Sequence, residues 1–246
     1  MAQGEIVFNN RITNALVAPI YGIEPSCSSL AKQGNTASGT PKGTQTYNGP
    51  LLAGSEYTAQ LFGGATNTGT ENLTPLSPAA TFRTTNGAGF IVAPPFTVVV
   101  PGVPEGQPAK IQLRAWQNFG GTITNWQQVL ADPNIPRGES LPFISLPLGG
   151  VFTAPPNLIG LQSFNLALPS ISPCPPEFIS GLSLSNGNFR VEFVATTNFS
   201  YAIQTSLDLT NWTTVATNFF VPVFPAFFED TNAINFQHRF YRLVWP

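Results

Sequence analysis

Proline and glycine interrupt this chain so often that long helices have little room to form. The 246 residues include 24 prolines and 22 glycines. Proline inside a helix removes a backbone donor and clashes with the preceding turn. The segments between these breaks alternate with period two. In 109–116 (AKIQLRAW) Ala109, Ile111, Leu113 and Ala115 share one side, and Lys110, Gln112, Arg114 and Trp116 share the other. The segments 56–62 and 188–195 alternate likewise, 96–100 is a run of β-branched residues, and these with 5–11, 201–206, 213–217 and 239–245 read as short strands of antiparallel sheets. One or two helical turns are expected over 125–131 (NWQQVLA), ending at Pro133.

This pattern predicts an all-β chain of two antiparallel β-sandwich domains, Ig-like or jelly-roll-like. Residues 1–168 would form the first domain. Residues 27–49, rich in Ser, Gly, Thr and Gln, would be a long surface loop on it. Four prolines between 168 and 177 mark a stiff linker over 169–177. Residues 178–246 would form a small Ig-like β domain.

Charge excludes several functions. Asp, Glu, Lys and Arg make up 9% of the chain, against about 25% in an ordinary domain. The only lysines are Lys32, Lys42 and Lys110, and the net charge is −2. No basic patch exists to neutralise phosphates, so nucleic acid is not an expected partner. The longest apolar stretch, 90–103, is cut by Pro94, Pro95 and Pro101, and a spanning helix needs about 20 uninterrupted residues. Met1-Ala2-Gln3-Gly4 has neither the basic start nor the apolar centre of a secretory signal. It reads as a start codon before a mature, exported chain, with a natural cytosolic start as the alternative. Cys27 and Cys174 fit export as a disulfide, which would close a loop of about 150 residues and add about 4–5 kcal/mol in the chain-entropy model. Two unrelated buried thiols are the other reading.

Two sets of motifs resemble a known class of proteins. Residues 158–164 (LIGLQSF), 4–11 (GEIVFNNR), 57–61 (YTAQL) and 112–116 (QLRAW) are similar to the β-rich domains of exported proteins that usually end in a PEP-CTERM sorting signal, typical of planctomycete- and verrucomicrobia-like bacteria. Residues 204–212 (QTSLDLTNW) and 240–242 (FYR) resemble a small C-terminal Ig-like module from the same bacteria, standing where the sorting signal would be. The resemblance implies export and a life at the cell surface. It supplies no catalytic residue.

Reactive constellations are sparse. His238 is the single histidine, and no Gly-x-Ser-x-Gly elbow accompanies it. No metal-ligand spacing or calcium loop occurs, so no metal or cofactor is expected. The acids Glu229 and Asp230 are adjacent, so on a strand they would point to opposite faces. Asp208 is placed to fix a turn by accepting backbone N–H bonds, with Trp212 over the hairpin.

Two binding readings remain. A sugar could stack on exposed rings flanked by amides, using Tyr47, Trp116, Asn118, Trp126 and Gln127, unless both sheet faces are covered and the rings are core. Alternatively, 219–228 (FFVPVFPAFF) offers Phe219, Phe220, Val223, Phe224, Phe227 and Phe228 as an assembly surface, unless the run caps the chain's own core. Pro222 and Pro225 restrict it to sheet edges. A chain short of lysines also lacks the usual edge guards. The expected function is therefore a non-catalytic extracellular structural protein, a fibre, coat or surface-layer subunit whose partners are copies of itself or envelope components. A carbohydrate-binding module is the alternative, and a glycan-acting hydrolase the third reading.

Overall fold

The structure is a computed structural model and describes residues 3–92, 96–169, 177–184, 186–194, 200–220 and 226–244. The chain is mostly β-strand, arranged in several sheets. It divides into two compact units, Met1–Ser170 and Ile171–Pro246. Among the described residues no helix is long and apolar enough to cross a membrane.

Among the described residues the first unit contains eleven strands. These are β1 (Gln3–Phe8), β2 (Arg11–Ile12), β3 (Leu16–Val17), β4 (Ile20–Tyr21), β5 (Tyr57–Ala65), β6 (Thr74–Pro75), β7 (Phe96–Pro104), β8 (Ala109–Gln117), β9 (Arg137–Glu139), β10 (Phe143–Ile144) and β11 (Phe164–Asn165). A short helix, α1 (Trp126–Ala131), lies between β8 and β9. Strand β8 pairs along its whole length with β5, from Tyr57 opposite Gln117 to Ala65 opposite Ala109. Its other side pairs with β10 and β9. Strands β1 and β7 form a separate antiparallel pair, and β4 lies parallel to β11.

The alternation seen in the sequence sorts β8 into two rows. Ala109, Ile111, Leu113 and Ala115 enter the main core with Ile6, Phe8, Ile20, Leu61, Val98 and Phe164. Burying one large side chain of this kind stabilises by about 1.5–3 kcal/mol. The opposite row is covered as well. After β8 the chain reverses at Gly120 and Gly121, whose φ values of 68° and 88° suit residues without a Cβ. Helix α1 follows. Asn125 caps it by accepting from the Gln128 amide at 3.1 Å, while the Gln128 side chain accepts from the Asn125 amide. Trp126 and Val129 of α1 then pack with Trp116, Phe62, Leu73 and Ile135 in a second cluster.

Residues 27–49 contain no named strand but are fastened to the unit. Asn35 is buried; it donates to the Pro41 carbonyl at 2.8 Å and accepts from the Ser163 amide at 2.8 Å. Tyr47 donates to the carbonyls of Gly34 and Ser163, and its ring stacks on Tyr21 at 4.2 Å. The segment is a packed irregular layer, held through side chain to backbone bonds in place of apolar contacts.

The second unit contains β12 (Glu177–Ser183), β13 (Phe189–Val194), β14 (Ser200–Ser206), β15 (Thr213–Phe220), β16 (Ala226–Asp230) and β17 (Phe240–Val244). They form two three-stranded antiparallel sheets, in the orders β12-β13-β16 and β15-β14-β17. Phe193 of the first sheet clusters with Tyr201 and Ile203 of the second, and half-buried Ala216, Phe228 and Leu243 pack around them. Polar groups supplement this small core. Asp230 on β16 accepts from Arg239 Nη1 at 2.6 Å and from the Tyr241 hydroxyl at 2.9 Å. Arg239 Nη2 donates to Thr205 Oγ1 of β14 at 2.9 Å, so one charged cluster ties both sheets.

Candidate functional site

The residues singled out as a sugar platform do not form one. Trp116 lies on the polar side of β8 but is fully buried, and its indole N–H donates to the Ile123 carbonyl at 3.1 Å. Trp126 meets it edge-on at 5.8 Å. The Arg114 guanidinium lies over the Phe62 ring at 4.1 Å and over Trp126 at 5.1 Å, and pairs with Glu139 at 3.2 Å. Burial pushes the Arg114 pKa down, while Glu139 opposes that shift. Asn118 is also buried; it donates to the Ser55 carbonyl and Thr58 Oγ1 and accepts from the Gly121 amide. Tyr47 is held in the stack with Tyr21, and burial raises its phenol pKa. Gln127 alone of the five is exposed. The exposed-ring expectation is corrected by one physical fact: α1 adds a layer over the second face of the sheet. Indole rings covered by that layer have no open face to offer a sugar.

The proposed assembly residues are divided. Phe219 and Phe220 lie on β15, opposite Tyr201 and Ser200. Val223 and Phe224 lie outside the described residues, as does Cys174, the expected partner of Cys27. Phe227 on β16 is 50% exposed, with the Arg190 guanidinium 3.9 Å from its ring centroid. Phe228 is half-buried against the core of its own unit. The run thus leaves the outer strand of one sheet and re-enters on the outer strand of the other, in keeping with its two prolines.

Each unit has a cleft lined by described residues. The first, about 440 Å³, is lined by Lys32, Gln33, Gln112, Arg137, Glu139 and Asn165 among others. Much of this lining already has structural partners. Gln112 donates to the Ser140 carbonyl and accepts from Arg114. Asn165 accepts from the Lys32 amide and donates to the Leu30 carbonyl. The Lys32 ammonium pairs with buried Glu24 at 3.0 Å. The second cleft, about 310 Å³, is lined by Thr205, Ser206, Asp208, Asn211, Phe236 and Arg239, among others. His238 is exposed and lines neither cleft.

Carboxylates with several partners hold turns. Asp208 Oδ1 accepts from the amides of Asn211 at 2.7 Å and Thr210 at 2.9 Å, and Oδ2 accepts from the Asn211 side chain. These bonds, led by the Asn211 amide, hold its pKa far below the usual carboxylate range. Trp212 sits beside this turn with the Arg242 guanidinium 4.3 Å from its ring centroid. Glu105 is the counterpart in the first unit. Its Oε1 accepts from the amides of Phe152 and Thr153, both at 2.8 Å. Desolvation acts to raise its pKa, but the bonds from Phe152, Thr153 and Val151 outweigh it and hold the carboxyl low. The turn so fixed carries Val151 and Phe152, 75% and 89% exposed. Sequence reasoning missed this tip, because Glu105 and Phe152 are 47 positions apart and share no motif. It also missed the Asp230–Arg239–Tyr241 cluster, although the adjacency of His238, Arg239 and Tyr241 to a strand was visible. Comparison with family models, with curated proteins and with solved structures finds no match.

Proposed function

We propose that this chain is a non-catalytic extracellular structural protein, a subunit of a fibre, coat or surface layer that associates with copies of itself. Two sandwich-type domains, joined through the proline-rich 169–177 segment and tied by a Cys27–Cys174 disulfide, are the architecture that accompanies this reading. Export follows from the resemblance of the motifs and suits the cysteine pair.

The observation that carries the reading is the state of the outer strands in the second unit. Among the described residues, nothing pairs with the outer sides of β16 and β17, and Phe227 and Phe240 stand exposed on them. Soluble monomers guard such edges with lysines, prolines or inward charges. This chain has three lysines, none of them in the second unit, and the inward charge on β16, Asp230, is neutralised within its own unit by Arg239. The carboxylates support the same view: Asp208, Asp230, Glu105 and Glu24 each hold a turn or a cation.

Light scattering on the purified chain over a wide dilution series tests the proposal. The expected result is a mass that rises with concentration beyond the monomer. A monomer at every concentration, including the highest reachable, contradicts it.

A further inference from the structure

We propose that copies associate side by side, the outer edge of β16 in one copy pairing antiparallel with the outer edge of β17 in another. This rests on the self-associating function above and names its surface and partner, a second copy of the chain.

Among the described residues the second unit has four outer strands, and they are of two kinds. Strand β12 advances two residues, Phe178 to Ser180, while its partner β13 advances one. Strand β15 advances three residues, Phe219 to Ala216, while β14 advances two, and then two, Ala216 to Thr214, while β14 advances one. The extra residues are therefore bulges on the outer strands. A bulge twists an edge and interrupts its ladder, which blunts it against further pairing. Strands β16 and β17 have none. Phe189 to Phe193 face Asp230 to Ala226 without a shift, and Ala202 to Ser206 face Val244 to Phe240 likewise. These two edges retain the regular backbone that an added strand needs.

Charge then selects between like and unlike edges. Strand β16 (AFFED) carries Glu229, and Asp230 is already engaged by Arg239 and Tyr241. Strand β17 (FYRLV) carries exposed Arg242. The Asn188 side chain holds Glu229 Oε1, and Gln204 together with the Trp212 ring holds Arg242, so both charges are positioned before contact. Pairing β16 with β16 brings acid toward acid, and pairing β17 with β17 brings Arg242 toward Arg242. One register of the unlike pair brings complementary side chains together. Glu229 opposite Arg242 sets Phe227 opposite Val244 on the outward side. It also sets Phe228 opposite Leu243 on the side that each unit turns to its core. Aromatic with β-branched partners, and opposite charges, are the favourable cross-strand pairs. The two edges lie on one flank of the unit, Asp230 beside Tyr241 and Phe228 in one cluster with Leu243, so two copies related by a two-fold axis make the contact twice.

The test uses the full chain and two charge reversals, Glu229→Arg and Arg242→Glu, followed by sedimentation. Each variant alone should associate roughly tenfold more weakly or worse, since it sets like charges across the contact. An equimolar mixture of the two should recover the wild-type mass, because each then meets an opposite charge at both edges. That recovery also shows that both variants are folded. Association unchanged in the single variants, or a mixture as dissociated as its components, overturns the edge assignment while leaving self-association standing. A wild-type chain that never associates overturns the proposed function itself.

Discussion

Strand β8 of the first unit and strands β16 and β17 of the second each turn apolar residues toward a core but end in opposite situations. Strand β8 has neighbours on both sides and a packed layer on both faces. Strands β16 and β17 have one described neighbour each, and their outward rows are exposed or half-buried. The difference comes from what each chain segment adds nearby. Beside β8, the Gly120-Gly121 reversal and the Asn125 cap return α1 over the polar row. Around β16 and β17 no comparable layer lies among the described residues. Alternation therefore tells which residues share a face, while the layers laid over that face decide whether it becomes core or surface.

Trp116→Ala probes the closed region and carries the largest expected effect. It removes a fully buried ring from a cluster that the surrounding strands hold rigid, so about 3–5 kcal/mol of stability should be lost in urea or thermal unfolding. A loss below about 1 kcal/mol would mean that the second face of β8 is not truly packed. Asp230→Ala probes the open region. It leaves Arg239, whose side chain is 14% exposed, without its counter-charge, and about 3 kcal/mol should be lost. If unfolding of this variant matches wild type, the two sheets are held by the apolar cluster alone.

How much of this was legible in the sequence depends on whether the cause is local. The strand β8, the short helix before Pro133 and the Asp208 turn follow from residues within a few positions of one another. Asp208 and its donors Thr210 and Asn211 are contiguous, and the expected turn is the one observed. The fate of Trp116 and Trp126 was not legible, because it depends on α1 packing back against Phe62 of β5 and Trp116 of β8, a contact across three elements. Residues 27–49 show no apolar pattern, and what fastens them, such as Asn35 meeting Ser163, lies 128 positions away. Pro222 and Pro225 marked the Phe-rich run as an edge. The bulges that separate β15 from β16 in kind leave no comparable mark in composition.

A smaller effect sharpens the comparison through pH. The Asp208 carboxyl is held below its usual range in the folded chain, so it is ionised more readily there than in the unfolded chain. The stability it contributes is complete above the unfolded value, about pH 4, and disappears as pH falls through the lowered folded value. Thermal melting followed from pH 5 downward should show this loss. An Asp208→Ala chain should be less stable at neutral pH and should lack that part of the acid dependence. An identical acid limb in both chains would show that the turn does not depend on the carboxylate.

Hydrogen exchange at low and high protein concentration tests the central contrast most directly. The amides of β8 should be protected equally at both concentrations, because that strand is closed within one molecule. The outward amides of β16 and β17 should exchange quickly when dilute and slow markedly when concentrated. Edge amides whose exchange ignores concentration, or new protection confined to the first unit, would contradict the account.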